Sequence, residues 1–352
     1  MKQPRPWITK QQIERMIFNT VYNPDHVADV SPHDRPDFVL TAYGPRQSKF
    51  GVEITEVFED ESEARLQNID GYFDDLMEGK PHRHRDDIDA LKVETVQIMT
   101  RGAEGLDEPV SVRAIVRQVT GHPSLAALLA QRIQDKDARA ANYKPGLTHV
   151  NLVINDRTHR VLSPPALGDD YPVTTYLSAD LRAALSGSRF HEVHLVSQDS
   201  KGNETVRGLR TLMMVEAAYV FLEAVKATVG APHECSDEDS HLLFIAACER
   251  QGFTLHYVDD ESGVHAQFGS VGVQFTDSGI KLFDGYYRAP QTPTDRPAST
   301  LDPELTEQIV GKYVEFAETG SFSCAYGVAP VRTFKQSREE LGITEAAEKM
   351  EC

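Results

Sequence analysis

Apolar residues recur along the chain with two periods, and the switches between them set out the elements. Ile13, Ile17 and Val21 return every four residues, which predicts a helix over residues 8–22 with Thr9 as its N-cap. Two short apolar runs follow, at 36–40 and 50–56. They read as strands joined by a loop containing Gly44, Pro45 and Ser48. An acidic run from Glu56 to Glu63 leads into a helix through Leu66, Ile69, Phe73 and Met77. Residues 91–99 alternate as a third strand, and 101–109, with Gly102, Gly105 and Pro109, read as a loop. Leu125, Leu128, Leu129 and Ile133 mark a helix over 124–143 capped by Ser124. Strands are expected at 150–154 and 191–196. Beyond them come helices at 205–228 and 239–251, strands at 254–258, 264–268, 270–275 and 279–283, a proline-rich connection at 290–303, a helix at 303–317 and a charged end at 335–352.

This order predicts an α/β protein with a mixed central sheet flanked by helices, followed by an α+β C-terminal region. The expected division is a first domain over 1–200, carrying a long insertion at about 56–123, and an accessory region over 201–352. The boundary rests on the polar cluster Asp199-Ser200-Lys201-Gly202-Asn203.

Within the first strands the polar exceptions matter most. Asp37 opens one strand and Glu53 sits in the middle of the next. Glu53 and Thr55 share one strand face, and Val52 and Ile54 share the other. A carboxylate inside an apolar strand is costly to bury alone, and two on neighbouring strands can share a divalent cation. Asp37 as a turn cap and Glu53 as an edge-strand charge is the plainer reading of the same residues.

Pro36-Asp37 followed by Glu53-Ile54-Thr55 resembles the PD-(D/E)XK nuclease superfamily. There, Pro-Asp opens one strand, Glu-x-Lys lies on the next, and the two acids hold Mg²⁺ or a similar ion beside the scissile phosphate. The resemblance implies a restriction-endonuclease-like core and Asp37, Glu53 and the backbone carbonyl of Ile54 as ligands for Mg²⁺ or Mn²⁺. It further implies DNA ahead of RNA as substrate, and a role in restriction or anti-phage defence. Thr55 stands where that pattern has lysine. In some branches the basic group comes from the helix after the strands, and here Lys136, Arg139 and Tyr143 follow at i, i+3 and i+7 on the predicted 124–143 helix, one face of it. Lys136 is accordingly the expected catalytic cation, with Arg139, Tyr143 and Thr55 as further candidates. Lys49 is the rival, but four residues along a strand place it about 13 Å from Glu53. Glu14 on the first helix is a weaker candidate, since a glutamate from a preceding helix often joins such sites.

Composition changes this picture in two ways. The 352 residues include 36 Lys/Arg against 54 Asp/Glu, a net charge of −18, which argues against a general nucleic-acid binder. Charge is unevenly spread, however: residues 111–160 hold 8 Lys/Arg and 3 Asp/Glu, while 51–110 hold 6 and 17. The acidic balance and Thr55 together support the alternative of a catalytically degenerate nuclease fold acting as a binding or assembly subunit, with a protein partner or as a homo-oligomer.

Cys235, Cys248, Cys324 and Cys352 show no paired-ligand spacing, and with no signal-like or membrane-spanning stretch they read as thiols of a cytoplasmic, non-membrane protein. His82-Arg83-His84-Arg85 reads as an exposed basic loop. His233, Cys235 and His241 match no structural zinc spacing.

Overall fold

In the computed structural model the described residues are 10–43, 47–101, 107–117, 123–158, 179–198, 204–230, 236–276, 279–283 and 289–319. They divide into two compact units, 57–124 and the remainder of the chain.

The larger unit is built on a six-stranded mixed sheet. Helix α1 (Lys10–Val21) precedes a meander of β1 (Asp29–Pro32), β2 (Phe38–Thr41) and β3 (Lys49–Val57), whose neighbours pair antiparallel. After the 57–124 unit the chain returns as α5 (Leu125–Asp137), β6 (Val150–Asp156), α6 (Ala179–Gly187), β7 (Val193–Gln198) and β8 (Glu204–Gly208). The sheet order is β1-β2-β3-β6-β7-β8; β6 and β7 run parallel and β8 returns antiparallel. One face of the sheet is closed by α1. Ile17, Phe18, Val21 and Tyr22 pack on Phe38, Leu40, Phe50, Val52 and Ile54. Phe18 lies 4.5 Å, ring to ring, from Phe38, and Arg15 lies over both rings. At the sheet's centre Asn151 donates to the buried Tyr22 hydroxyl at 2.8 Å, so this polar pair is satisfied inside the core.

Beyond β8, α7 (Leu209–Val229) follows directly. It packs against β7 and β8 and against β11 of a second sheet, an antiparallel meander in the order β12-β11-β10-β9. Its strands are β9 (His256–Asp260), β10 (Gly263–Phe268), β11 (Val271–Thr276) and β12 (Gly279–Phe283), with α8 (Asp237–Arg250) and α9 (Pro303–Thr319) around α7. α7 carries apolar residues on nearly every side, as a helix enclosed between two sheets must.

The 57–124 unit comprises α2 (Glu61–Asn68), α3 (Tyr72–Met77), α4 (Asp87–Ala90) and a hairpin of β4 (Leu91–Arg101) and β5 (Asp107–Arg117). Its core is Tyr72, Leu76 and Leu91. The fully buried Asp87 accepts from Ser62, Tyr72 and Arg65 at 2.6–2.8 Å.

Several expectations are corrected. The strand expected at 91–99 pairs with β5 and is not in the main sheet, and β5 begins inside the stretch read as a 101–109 loop. The single helix through Leu66 and Met77 is two, α2 and α3. Residues 204–208 are a strand rather than the start of a helix, and β1 and α6 are additional elements. The helix expected over 124–143 ends at Asp137, where the Asp137 carboxylate accepts from the backbone of Arg189 at 2.7 Å. A short 3₁₀ turn, Ala140–Asn142, follows. Thr9 and 335–352 lie outside the described residues.

Candidate functional site

The antiparallel register of β2 and β3 sets Phe38 opposite Val52, and one further step sets Asp37 across from Glu53. Here the chain before β2 leaves the ladder, and the Ile54 amide would lack a backbone acceptor. The Asp37 carboxylate takes that place, accepting from Ile54 N–H at 2.7 Å. Gly51 lets this happen. A Cβ there would fall 2.5 Å from the Pro36 ring and 3.0 Å from Leu147, so only glycine admits Pro36 this close to β3.

Val52 and Ile54 face α1, which turns Glu53 and Thr55 to the other face, where α5 supplies Lys136. The Lys136 ammonium donates to Glu53 Oε1 at 2.6 Å and to the Ile54 carbonyl at 3.4 Å. Both partners are nearly enclosed, with 16% of the Lys136 and 10% of the Glu53 side chain exposed. The second oxygen, Glu53 Oε2, is buried without a hydrogen-bond partner. Burial, reinforced by the Glu53 charge, pushes the Asp37 carboxyl up to about 7, against the opposing pull of the Ile54 amide.

The other anticipated residues divide. Thr55 is buried beside Glu53. Tyr143 lies beyond the end of α5, and its segment is fixed by Lys144 N–H donating to the Arg35 carbonyl at 2.9 Å, two residues before Asp37. Its hydroxyl is buried without a partner, and burial together with the charges of Glu53 and Asp37 raises it above the ordinary phenol range. Arg139 is exposed at the start of the 3₁₀ turn, so the single helical face of Lys136, Arg139 and Tyr143 does not exist. Glu14 on α1 accepts from Lys10 at 3.2 Å, and its charge adds to the upward push on Asp37. Lys10, raised by its bond to Glu14 and more weakly by Asp37 and Glu53, escaped the reading of the sequence. Its signal was the i, i+4 spacing to Glu14. Lys49 is exposed at the far end of β3.

The remaining motifs have structural employment. His82 contacts the Leu91 carbonyl, and Arg83 pairs with Asp75. His241 accepts from the Phe275 amide at 2.9 Å, while His233 and Cys235 lie outside the described residues. A cavity of about 510 Å³, lined by Ile13, Met16, Ile17, Asn155, Arg157 and Gln198 among others, does not include Asp37, Glu53 or Lys136. Among the described residues no group of three or more His, Cys, Asp or Glu side chains is placed to hold a metal ion, and no helix is long and apolar enough to cross a membrane. No known protein family matches the sequence, and neither a curated protein nor a solved structure matches it.

Proposed function

We propose that the chain is a divalent-cation-dependent nuclease of the PD-(D/E)XK kind, acting on DNA ahead of RNA, in which the lysine missing at Thr55 is supplied by Lys136 from α5. The observation that carries this reading is the Lys136 ammonium at 2.6 Å from Glu53, on the strand face across which Asp37 stands. The order α1-β1-β2-β3-α5-β6 within the six-stranded sheet supports a restriction-endonuclease-like core.

The donor set suits Mg²⁺ or Mn²⁺. Asp37, Glu53 and the Ile54 carbonyl are hard oxygen ligands, and the orphaned Glu53 Oε2 is a buried acceptor that a cation would satisfy. Two carboxylates are enough for an ion that keeps several waters and takes substrate oxygens. When bound, such an ion lowers the pKa of a coordinated water and neutralises phosphate charge. Asp37 and Glu53 would hold it, and Asp37 would also keep Ile54 in register. Lys136, once Glu53 turns to the ion, would set its positive charge against the oxygen that becomes more negative as the phosphodiester is attacked. Defence against foreign DNA in the cytoplasm is the setting the resemblance suggests.

The test is cleavage of plasmid and linear DNA, with RNA alongside, in Mn²⁺, Mg²⁺ or EDTA. The parent should cut with either metal and not in EDTA, and Asp37→Ala and Glu53→Ala should be inactive. Lys136→Ala should cut about 10²–10³-fold more slowly, the usual cost of one transition-state charge contact. It should also be less stable without metal, since it leaves Glu53 enclosed and unpaired. A Glu53→Ala variant as active as the parent would place the chemistry elsewhere. The ammonium already seated on Glu53 and Ile54 favours one second reading, a degenerate fold whose lysine has replaced the ion and which serves assembly. In that case Mn²⁺ would give no Asp37-dependent rise in melting temperature.

A further inference from the structure

Two polar atoms, on two segments that each hydrogen-bond to the stretch carrying Asp37, are buried with no partner, and they are complementary. Glu53 Oε2 can only accept, and the Tyr143 hydroxyl can donate as well as accept. Leaving either one unsatisfied carries a desolvation penalty. Neither atom is stray. Glu53 is anchored through its other oxygen by Lys136. Tyr143 is anchored on both sides: its amide donates to Ala140 O at 3.1 Å, and the next amide, Lys144, donates to Arg35 O at 2.9 Å. Its ring leans on Phe190 at 6.2 Å. The residue is thus held against the segment that delivers Asp37, and its hydroxyl feels the charges of both acids. A direct bond to Glu53 would satisfy both atoms, yet the fold holds them without one. A donor and an acceptor so held, on segments that both meet the Asp37 strand, are matched by an occupant that presents a positive centre to the carboxylate and a water oxygen to the phenol.

We propose that Tyr143 is a positioning residue for a hydrated divalent cation, its hydroxyl donating to a water of the ion's hydration shell while Glu53 Oε2 and Asp37 ligate the ion directly. The inference rests on the metal-site part of the reading above but not on DNA as substrate. It explains why a tyrosine within the field of two carboxylates keeps its hydroxyl dry, since the partner arrives with the ion. Outer-shell hydrogen bonds of this kind orient the coordinated water, and their loss typically costs about 10–100-fold in metal affinity.

The experiment is calorimetric titration of the full chain with Mn²⁺, paired with thermal denaturation in EDTA, for the parent, Tyr143→Phe and Asp37→Asn. The Asp37→Asn titration supplies the background from surface acids. The parent should show one class of site absent from Asp37→Asn. Tyr143→Phe should bind there about 10–100-fold more weakly. Its melting temperature in EDTA should be equal to or above the parent's, because the change removes a dry hydroxyl and keeps the ring. A merely structural tyrosine would show the reverse, a lower metal-free melting temperature with unchanged affinity, and that result would overturn the proposal. Unchanged affinity with Mn²⁺-dependent DNA cleavage intact would also overturn it while leaving the nuclease reading in place. Tyr143-dependent Mn²⁺ binding without any cleavage would uphold it and remove the nuclease reading. Absence of an Asp37-dependent site would end both.

Discussion

At the scale of single residues, Asp37 is pulled two ways. Its bond to the Ile54 amide favours the carboxylate, but burial and the neighbouring charges of Glu53 and Glu14 outweigh that bond and Lys136, leaving the group near 7. The unfolded chain titrates an aspartate near 3.9. Between those values the native state holds a proton that the unfolded state has lost, so stability falls as pH rises. The penalty is absent below about 4 and complete above about 7, on the order of 3 kcal/mol after allowance for partial exposure. Melting curves in EDTA should therefore show the parent losing ground to Asp37→Asn between pH 5 and pH 8. Parallel curves for the two proteins would show that Asp37 is already ionised at pH 5. That Asp37, Glu53 and Lys136 come together was legible because an acid in an apolar strand and a basic segment on an acidic chain are both exceptions to a pattern. Arg139 and Tyr143 were misplaced for a tertiary reason. Ala138, Arg139, Ala140 and Ala141 are good helix formers, yet α5 ends at Asp137, whose carboxylate is engaged by the Arg189 amide, a contact 52 residues away.

At the scale of elements, the site depends on how closely the Pro36 segment can approach β3, and Gly51 sets that distance. An alanine there would press on the Pro36 ring, a rigid partner, and on Leu147 and Val150 at 3.0 and 3.2 Å. Gly51→Ala should cost about 1–3 kcal/mol in urea titrations, the range for overpacking. It should also weaken Mn²⁺ binding, because Asp37 follows Pro36 directly. Gly187→Ala is the matched control: its Cβ meets nothing within 4 Å at the end of α6, and it should be neutral or slightly stabilising. Equal effects from the two substitutions would mean that the Pro36 contact does not set the strand spacing. The strands and helices that were legible are long or strongly periodic, such as β6 and α8. Those that were not have local causes. β1 is a four-residue edge strand whose only large apolar side chain is Val30. β8 passes into α7 at Gly208 with no intervening turn, so the helical period of α7 hides the strand. In α6 the helical set Leu181, Ala184 and Leu185 spans too few residues to stand out.

At the scale of the whole molecule, the two sheets of the larger unit are joined through a buried charge cluster that no local pattern announces. Glu192, just before β7, accepts from its neighbour Val193, from the Arg210 amide and Thr211 hydroxyl of α7, and from Ser270 at the β10–β11 turn. Arg210 donates to the carbonyls of Ser188 and Phe190 and lies 4.4 Å from the Phe268 ring centre. Burial raises the Glu192 carboxyl and lowers the Arg210 guanidinium to about 10, so each charge is costly and each offsets the other. In a sequence these two residues are unremarkable charges 18 positions apart, and only the folded contact reveals them. Removing one of two buried charges that offset each other leaves the other less compensated, whereas replacing both with apolar groups of similar volume can be close to neutral. Glu192→Gln keeps the hydrogen-bonding shape but removes the charge that offsets the buried Arg210, and it should lower the urea midpoint. Arg210→Met should do the same by removing the charge that offsets Glu192. The double variant should recover at least half of the summed loss, a coupling readable from a double-mutant cycle. Strictly additive losses would show that the two charges do not offset each other, and the join between the sheets would then rest on the packing of α7 alone.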